Sequence, residues 1–356
     1  MKIVVLGGGA QGRVIAGDLA RALPDATICV ADVREPRLAA HPNLRWVESD
    51  CSDAGALVHL LREHDFGVGA LPSRLGYQAM RAAIAARRNL VDVSFSAEDP
   101  LTLDREAQRA GITIVPDCGL APGLSNLVLG RALAADGPPR ELMIMVGGVA
   151  EDPTRPYGYQ VSWSLDDLLE EYVRPARIQR GGKPVTVPVF SGLERVQVAG
   201  VGEMEAFYSD GLRTLIDTLP GVPEMGEKTL RWPGHVEAIR PLVASGRFTS
   251  EFRARCTADE PRDLVALLVR VRRGEREQRL TLVDRYDPAT RLTAMSRTTA
   301  LTTSAVAQLV AAGRVTQRGV LPLERIGPDE AAHAFLLERL ARHGIRLAWT
   351  EAAAVV

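Results

Sequence analysis

Residues 2–12 read KIVVLGGGAQG, and this stretch sets the first prediction about the fold. The run at 2–6 is continuously apolar, which is typical of a strand buried on both faces of a parallel sheet. Residues 13–23 then place apolar side chains at helical spacing before Pro24. The segment therefore predicts a strand, a tight glycine turn and a helix.

The turn between this strand and this helix carries the pattern G-x-G-x-x-G, formed by Gly7, Gly9 and Gly12. The first glycine permits the turn, the second lets a pyrophosphate approach the backbone, and the third allows the helix to pack closely on the strand. Ala10 and Gln11 lie inside the pattern, where free amides at a helix N-terminus hold phosphate groups. The pattern predicts a dinucleotide site.

An acidic residue stands where such a site needs one. Asp32 ends the second predicted strand, 27–32, and lies 20 residues after Gly12. A carboxylate there accepts hydrogen bonds from the adenosine ribose and repels a 2′-phosphate, so we expect NAD. Arg34 leaves NADP possible, because it could contact a 2′-phosphate. An ordinary solvated surface residue is the favoured interpretation of Arg34.

Strand and helix patterns continue to alternate through the first third of the chain, which favours an α/β fold with a parallel, doubly wound sheet. Ligands of such sheets bind at the carboxyl ends of the strands. The further strands are predicted at 44–48, 67–71, 89–93 and 112–116. The residues expected to contact the cofactor after these strands are Asp50, Cys51, Leu71, Pro72, Ser94, Cys118 and Gly119.

Two of these positions have alternatives. Asp50 and Cys51 lie where adenine is expected, but an ordinary polar loop fits them as well. Cys118 lies in the loop PDCGLAPGLSN at 116–126, which contains no lysine, arginine or histidine to lower the pKa of its thiol. We interpret Cys118 as a small cofactor contact rather than a nucleophile, and Gly119 as a point of close backbone approach.

The alternation stops near residue 140, and the following segments predict an α+β domain around a mostly antiparallel sheet. Its clearest element is a hairpin of strands at 264–271 and 278–285. Because the chain turns helical again afterwards, we expect it to return to the first domain. The predicted dinucleotide domain is 1–125 plus 296–356, and the predicted substrate and oligomerisation domain is 126–295.

Three local assignments complete the second half. A helix is predicted at 210–219, another is expected to begin with Thr302 or Thr303 as its cap, and a last strand is predicted at 345–349.

Composition excludes several classes of protein. The chain has 356 residues with a net charge of -1, which gives no overall electrostatic case for nucleic acid or an acidic membrane. No apolar run reaches the roughly 18 residues of a membrane span, and no signal-peptide pattern opens the sequence. The four cysteines are far apart and show no metal-binding spacing. We therefore expect a cytoplasmic protein without a metal.

Seven spaced motifs give the chain a resemblance to a known family. They are VVLGGGAQG, NLVDVSF, PDCGLAPGLSN, SWSLDDLLEEY, GEMEAFYSDGLRTL, EKTLRWPGHVE and AMSRTTA. In these motifs and in their order the chain resembles the saccharopine dehydrogenase-like family along nearly its whole length. Within the family it is most similar to the lysine 6-dehydrogenase branch.

The resemblance implies an NAD-linked oxidoreductase acting on a CH–NH2 donor. The ε-amine of L-lysine would be oxidised to an imine, which hydrolyses to 2-aminoadipate semialdehyde and ammonia. The semialdehyde would then cyclise to piperideine-6-carboxylate. The implied fold is a Rossmann domain interrupted by an α+β domain, in a homo-oligomer. Two alternatives remain open: an NADPH-dependent reductase that joins another amine to an aldehyde, and a non-catalytic NAD-binding sensor.

The chain departs from the saccharopine-forming members at two places. Those members carry aspartate in D-P-G where this chain has Ala121-Pro122-Gly123, and Ser-Tyr where it has Ser94-Phe95. The loss of these polar groups argues against saccharopine as the substrate. The alanine form resembles the lysine 6-dehydrogenase branch.

The reaction needs a group that accepts the proton of the substrate ammonium, because only a neutral amine can lose hydride. Asp92 and His235 are the candidates. His235 could instead be a helix N-terminal residue with satisfied hydrogen bonds, and Arg231 could form a structural salt bridge rather than pair with a carboxylate. Glu205 alternates with Glu203, so one of the two should face inward. The expected substrate-side residues are Phe95, Ala121, Tyr159, Trp163, Glu205 and Arg231.

Overall fold

The computed structural model describes residues 1–353 and divides the chain into two compact units. The first unit combines Met1–Ala132 with Ser296–His343, and the second combines Leu133–Met295 with the chain from Gly344 onward. The chain thus leaves the first unit after Ala132, returns to it at Ser296 and passes to the second unit again at Gly344.

The elements of both units are numbered in chain order. The strands are β1 (Lys2–Leu6), β2 (Thr27–Asp32), β3 (Leu44–Glu48), β4 (Phe66–Gly69), β5 (Asn89–Asp92), β6 (Thr113–Val115), β7 (Glu141–Ala150), β8 (Ala176–Arg180), β9 (Lys183–Val187), β10 (Glu194–Val198), β11 (Gly202–Tyr208), β12 (Glu224–Arg231), β13 (Asp263–Arg273), β14 (Arg276–Arg285), β15 (Gly319–Val320) and β16 (Ala348–Ala353). The helices are α1 (Ala10–Ala22), α2 (Ala54–Arg62), α3 (Ser73–Ala86), α4 (Asp104–Ala110), α5 (Leu124–Asp136), α6 (Leu165–Val173), α7 (Leu215–Thr218), α8 (His235–Ala244), α9 (Phe248–Arg255), α10 (Ala294–Ala311), α11 (Leu323–Ile326) and α12 (Glu330–Arg342).

The first unit is built on a parallel sheet with the strand order β15-β6-β5-β4-β1-β2-β3. β1 is an interior strand, paired with β2 and β4, and Ile3 to Leu6 are fully buried. A continuous apolar run is what such a position requires. The predicted α/β fold with a parallel sheet is confirmed.

The second unit contains a nine-stranded mixed sheet, with the path β10-β11-β12-β7-β13-β14-β16 and with β8 and β9 off that path. Its pairings are antiparallel except for β12 with β7. The predicted hairpin is present as β13 and β14. β12 lies between β11 and β7, so its residues are enclosed by neighbours on both sides.

Two of the local helix predictions are wrong. In the predicted helix at 210–219 only α7 is helical. α10 begins at Ala294, so Thr302 and Thr303 lie inside the helix and do not cap it. The α10 start depends on Asp263, whose carboxylate accepts hydrogen bonds from the amides of Ala294 (2.6 Å) and Met295 (3.0 Å).

The end of the chain also differs from the prediction. β16 is shifted relative to the strand predicted at 345–349, and it pairs antiparallel with β14, with Trp349 opposite Leu280. The chain from Gly344 onward therefore belongs to the second unit and not to the dinucleotide domain, because the free edge of β14 offers it backbone partners. The first division falls after Ala132 rather than after residue 125.

In the described part of the chain no helix is both long and apolar enough to cross a membrane.

Two helix glycines give a test of the packing in the first unit. A Cβ at Gly130 in α5 would lie 2.1 Å from the carbonyl oxygen of Glu324, whereas a Cβ at Gly17 in α1 would meet nothing closer than 3.7 Å. We expect Gly130→Ala to lower the free energy of unfolding by about 1–3 kcal/mol. Gly17→Ala should raise it by about 0.5–1 kcal/mol, because alanine favours the helix. Urea unfolding of both variants measures this, and equal shifts would contradict the described packing.

Candidate functional site

The glycine turn after β1 has the geometry of a phosphate site. A Cβ at Gly12 would lie 1.8 Å from the carbonyl oxygen of Gly7, and one at Gly7 would lie 2.6 Å from that of Ala70. A Cβ at Gly9 would meet no atom within 4 Å. Packing therefore requires Gly7 and Gly12, while Gly9 leaves open space at the N-terminus of α1. Ala10 and Gln11 begin this helix, so the residues present fit a pyrophosphate.

Asp32 is held in place at the end of β2. Its Oδ2 accepts the amide hydrogen of Gly8 (2.7 Å) and its Oδ1 accepts that of Arg34 (3.1 Å). Each carboxylate oxygen keeps a further lone pair for a hydroxyl. The Arg34 side chain is exposed. The geometry thus offers a fixed acceptor for ribose hydroxyls.

The neighbouring loops contain the other expected cofactor contacts of this region. Asp50 is exposed and accepts hydrogen bonds from the amide (2.9 Å) and hydroxyl (2.6 Å) of Ser52, which lower the pKa of its carboxyl. Cys51 is buried, and burial raises the pKa of its thiol to about 11. Leu71 is buried and Pro72 is exposed at the start of α3. Asp50 thus stabilises its loop, and Cys51 stays neutral.

Asp92 and Ser94 form a buried pair at the end of β5. Oδ1 of Asp92 accepts the amide hydrogen of Ser94 (2.8 Å) and also its hydroxyl hydrogen. Within residues 1–353, the Oδ2 atom of Asp92 has no hydrogen-bond partner. Burial, together with the smaller effect of the Asp117 charge, raises the pKa of Asp92 to about 7 against the opposing effect of the Ser94 hydrogen bonds. Asp92 can therefore exchange a proton near neutral pH.

Two glycines that the sequence analysis did not single out make room for this pair. A Cβ at Gly69, the last residue of β4, would lie 1.8 Å from Oδ2 of Asp92. A Cβ at Gly76, inside α3, would lie 1.8 Å from Oγ of Ser94. A glycine inside a strand or a helix is the sequence signal for such a close approach.

Hydrogen bonds to its backbone groups hold the loop after β6 in place. The Cys118 amide donates to the carbonyl oxygen of Asp92 (2.8 Å), and the Cys118 carbonyl accepts from the Thr303 hydroxyl (2.7 Å). The Gly119 amide donates to the carbonyl of Pro122 (3.1 Å). Burial raises the pKa of the Cys118 thiol well above its usual range, which disfavours a nucleophile. Ala121 and Phe95 are half-buried.

In the second unit, Arg231 is already paired within the fold. Its guanidinium donates to Glu171 (2.7 Å) and to the hydroxyl of Tyr172 (2.7 Å), and it lies 5.2 Å from the ring centroid of Tyr159. The residue is 2% exposed. These contacts favour the structural salt bridge over a substrate carboxylate as its partner.

His235 has both ring nitrogens engaged. Nδ1 lies 2.7 Å from the carbonyl oxygen of Tyr157, and Nε2 lies 2.9 Å from the hydroxyl of Tyr172. Because a carbonyl only accepts, Nδ1 must carry the hydrogen, and Nε2 accepts from the tyrosine. Burial, together with the charge of Arg231, lowers the pKa of His235 to about 3. The ring has no lone pair left for a substrate proton, so the structure favours the satisfied, structural histidine over the base.

The remaining substrate-side candidates are also used by the fold. Glu205 is buried and accepts the amide hydrogens of Gly234 (2.9 Å) and Val236 (2.6 Å), which caps α8, while Glu203 is exposed. One of the two is therefore buried, as expected, but residues two apart share a face of a strand, so the difference arises because Glu203 lies at the exposed start of β11. Trp163 donates to the hydroxyl of buried Tyr159 (3.1 Å).

Three buried charged residues within the resembling motifs were missed, namely Arg213, Glu227 and Lys228. Arg213 is buried and has a φ of +50°, a conformation that is uncommon outside glycine and concentrates at functional sites. Glu227 is the first residue of EKTLRWPGHVE and is also buried. Their motif membership was the available signal, but burial could not be inferred for charged side chains.

The parallel sheet, the glycine turn and Asp32 define a domain that binds a nicotinamide dinucleotide, and comparison with known families supports this class. Residues 3–115 match the family model described as the saccharopine dehydrogenase NADP binding domain, and residues 119–345 match the saccharopine dehydrogenase C-terminal domain. The chain belongs to the saccharopine dehydrogenase family.

Individual relatives agree with the family. Saccharopine dehydrogenase [NADP(+), L-glutamate-forming] of Saccharomyces cerevisiae is 26% identical over 258 residues, 68% of this chain and 58% of that protein. The mitochondrial alpha-aminoadipic semialdehyde synthase of Bos taurus is 24% identical over 212 residues, 53% of this chain and 22% of that protein. The chain spans about half the length of the yeast and fungal relatives it matches.

A solved structure shows the same fold. The apo saccharopine dehydrogenase (L-Glu forming) from Saccharomyces cerevisiae has a TM-score of 0.79 and 19% identity, and the match covers 99% of this chain and 100% of that chain. At this identity the likeness establishes the fold.

The buried histidine gives a pH test. Since the folded pKa of His235 lies below its unfolded value of 6.5, the unfolded chain binds more protons between about pH 3 and 6.5, and stability is lost as pH falls through that window. We expect His235→Gln to lose less stability than the wild type between pH 7 and pH 4.5. Thermal unfolding across this range measures it.

The exposed residue His59 supplies the control for this test. His59→Gln should keep the wild-type pH dependence. If the two variants behaved alike, the description of a neutral buried His235 would be wrong.

Proposed function

We propose that the protein catalyses the NAD-dependent oxidative deamination of the ε-amine of L-lysine. The terminal CH2–NH3⁺ group loses a proton and a hydride to give an iminium, and NAD⁺ becomes NADH. Water then releases ammonia and leaves 2-aminoadipate semialdehyde, which cyclises to piperideine-6-carboxylate. A homo-oligomer, which the family resemblance implies, stays a prediction.

The observation that carries the choice of substrate is Ala121. By the family resemblance, saccharopine-forming members carry an aspartate at this position of the loop, and this chain has a half-buried methyl group there. Phe95 is likewise half-buried and lacks the hydroxyl of their tyrosine. A larger substrate with additional carboxylates would therefore find no polar side chain at either of these two positions. A simple amino acid with an apolar chain does not need them.

Asp32 supports NAD as the cofactor. The fixed carboxylate at the end of β2 accepts ribose hydroxyls and disfavours a 2′-phosphate by charge and by desolvation. When bound, the nicotinamide ring supplies the hydride acceptor. The protein contributes the positions of the phosphate turn, of Asp32 and of the polar groups after β5.

Asp92 is the candidate that remains for the proton acceptor. His235 has no free nitrogen, whereas Asp92 keeps one carboxylate oxygen without a partner among the described residues. A pKa of about 7 suits a group that must take up a proton from an ammonium at neutral pH. Ser94 donates its hydroxyl hydrogen to Asp92, so its oxygen is available as an acceptor.

Turnover with purified components tests the proposal. L-Lysine and NAD⁺ should produce NADH and an equal amount of ammonia, followed by absorbance and by a coupled ammonia assay. NADPH-dependent reductive condensation of an amine with an aldehyde would select the condensing reductase instead. Tight NAD binding without turnover of any compound in a panel of amines would select the sensor.

A substitution at Asp32 tests the cofactor preference. We expect Asp32→Ser to lower kcat/KM for NAD⁺ by on the order of tenfold, because a charge-assisted hydrogen bond is lost. The same change should improve NADP⁺ as repulsion of the 2′-phosphate disappears. Steady-state kinetics with both cofactors measures this. An unchanged ratio of the two kcat/KM values would contradict the assigned role.

The proton acceptor can be tested by Asp92→Asn, which keeps an oxygen for Ser94 but cannot take up a proton. We expect kcat to fall by on the order of 100-fold. In the wild type the rate should rise with pH through about 7, as Asp92 ionises, and this limb should vanish in the variant. The exposed residue Glu106 supplies the control, since Glu106→Gln should change neither quantity. If the rate of Asp92→Asn still rose with pH through about 7, Asp92 would be excluded as the base.

A further inference from the structure

β12 buries an unusual concentration of polar side chains in the second unit. Glu227, Lys228, Thr229 and Arg231 are each 5% exposed or less. A buried charge is costly unless an opposite charge or several hydrogen bonds compensate it. Arg231 has Glu171 at 2.7 Å, and Lys228 has Glu194 at 2.5 Å. The two cations of this strand are therefore compensated.

Glu227 has a different environment. Its Oε2 accepts the hydroxyl hydrogen of Ser209 (2.6 Å), and the amide of Gly211 donates to the carboxyl group. The Ser209 oxygen lies 2.7 Å from the hydroxyl of Thr229. A Cβ at Gly211 would lie 2.5 Å from the carboxyl carbon, so this approach requires glycine. The carboxyl group is thus enclosed by neutral donors.

The charged groups that act on Glu227 are acidic. Glu171 and Asp210 both raise its pKa. Their own charges are already shared, Glu171 with Arg231 at 2.7 Å and Asp210 with Arg177 at 3.1 Å. Among the residues that the structure describes, no arginine, lysine or histidine forms an ion pair with Glu227.

Other buried glutamates of the same unit show what compensation looks like in this fold. Glu205 accepts two backbone amides at the start of α8. Glu277 lies between Arg272 and Arg279, with ion-pair contacts to both. Glu227 has neither a helix terminus nor a cation. If Glu227 ionises, none of the described residues forms an ion pair that compensates its charge.

We propose that Glu227 is the carboxylate of a binding site for a primary ammonium group of the substrate, with the hydroxyl groups of Ser209 and Thr229 beside it. The inference rests on the proposed function, because L-lysine carries two such groups. An ammonium has three donors and no acceptor, which suits a carboxylate flanked by hydroxyl oxygens.

The site should release a proton when it is filled. Burial raises the pKa of Glu227 to about 8, so at pH 7 the empty site holds a neutral carboxyl group. A bound ammonium favours the ionised form and lowers this pKa. The proton of Glu227 then leaves to solvent, and the bound pair is carboxylate with ammonium.

Calorimetry on the NADH-loaded protein tests the site without turnover. L-Lysine is titrated at pH 7 in two buffers of different ionisation enthalpy, which counts the protons released. We expect the wild type to release close to one proton per ligand. Glu227→Gln, which keeps the shape of the side chain, should release none and bind 10- to 100-fold more weakly. Glu203→Gln at the exposed start of β11 is the matched control and should behave as the wild type.

Two analogues distinguish which ammonium group binds. 6-Aminohexanoate keeps only the terminal ammonium of lysine, and L-norleucine keeps only the α-ammonium. Weaker binding of Glu227→Gln to the first compound assigns the terminal group, and weaker binding to the second assigns the α-group. Either result supports the site. Equal affinities of wild type and variant for all three compounds, or no binding of any of them by the wild type, would overturn it.

The outcome also separates this inference from the proposed function. A wild type that binds lysine with proton release but forms no NADH from lysine and NAD⁺ keeps the ammonium site and overturns the proposed reaction. A wild type that oxidises lysine, with an unchanged KM in Glu227→Gln, keeps the reaction and overturns the site.

Discussion

A charge that is buried in this protein must find its partner inside the fold, and Arg231 shows how far that requirement reaches. Its guanidinium joins β12 to α6 through Glu171 and Tyr172. The hydroxyl of Tyr172 then has to donate to His235 at the start of α8, and the histidine has to donate to the carbonyl of Tyr157. One buried cation thereby fixes the direction of every hydrogen bond in a chain that ties two helices to the sheet.

The same requirement separates the candidate residues that hold the fold together from those that remain available for chemistry. Arg231, His235 and Glu205 are of types that catalysis uses, and each is fully engaged in holding the second unit together. Asp92 and Glu227 are two buried acids of the described chain whose engagement is incomplete. In the first unit Asp92 has an oxygen without a partner among the described residues, and in the second Glu227 has hydroxyl and amide donors but no cation. Incomplete compensation is the physical reason to assign chemistry to these two.

The sequence predicted most of the first unit because its signals are local. The bounds of β2 and β3 agree with the predicted ones, since apolar runs and turn residues lie next to each other in the chain. The start of α10 could not be predicted, because its cap, Asp263, lies 31 residues before Ala294. β16 depends on the free edge of β14, which no local pattern reveals.

The site was predictable in kind but not in detail. The phosphate turn and Asp32 follow from a motif with its strand and helix in place, and the family models match both halves of the chain. Which polar residue remains available for chemistry depends on partners from distant segments, as the pairing of Tyr172 with His235 across 63 positions shows. Motif membership alone therefore could not show that both ring nitrogens of His235 are engaged or that Glu227 is buried without a cation.

The central claim is that hydride leaves the terminal carbon of lysine. The most direct measurement uses L-lysine deuterated at carbon 6 with NAD⁺, followed by mass spectrometry of the reduced cofactor. We expect one deuterium in each NADH molecule, with an equal amount of ammonia released. Unlabelled NADH from this substrate, together with deuterium transfer from lysine labelled at carbon 2, would show oxidation at the α-carbon and contradict the central claim.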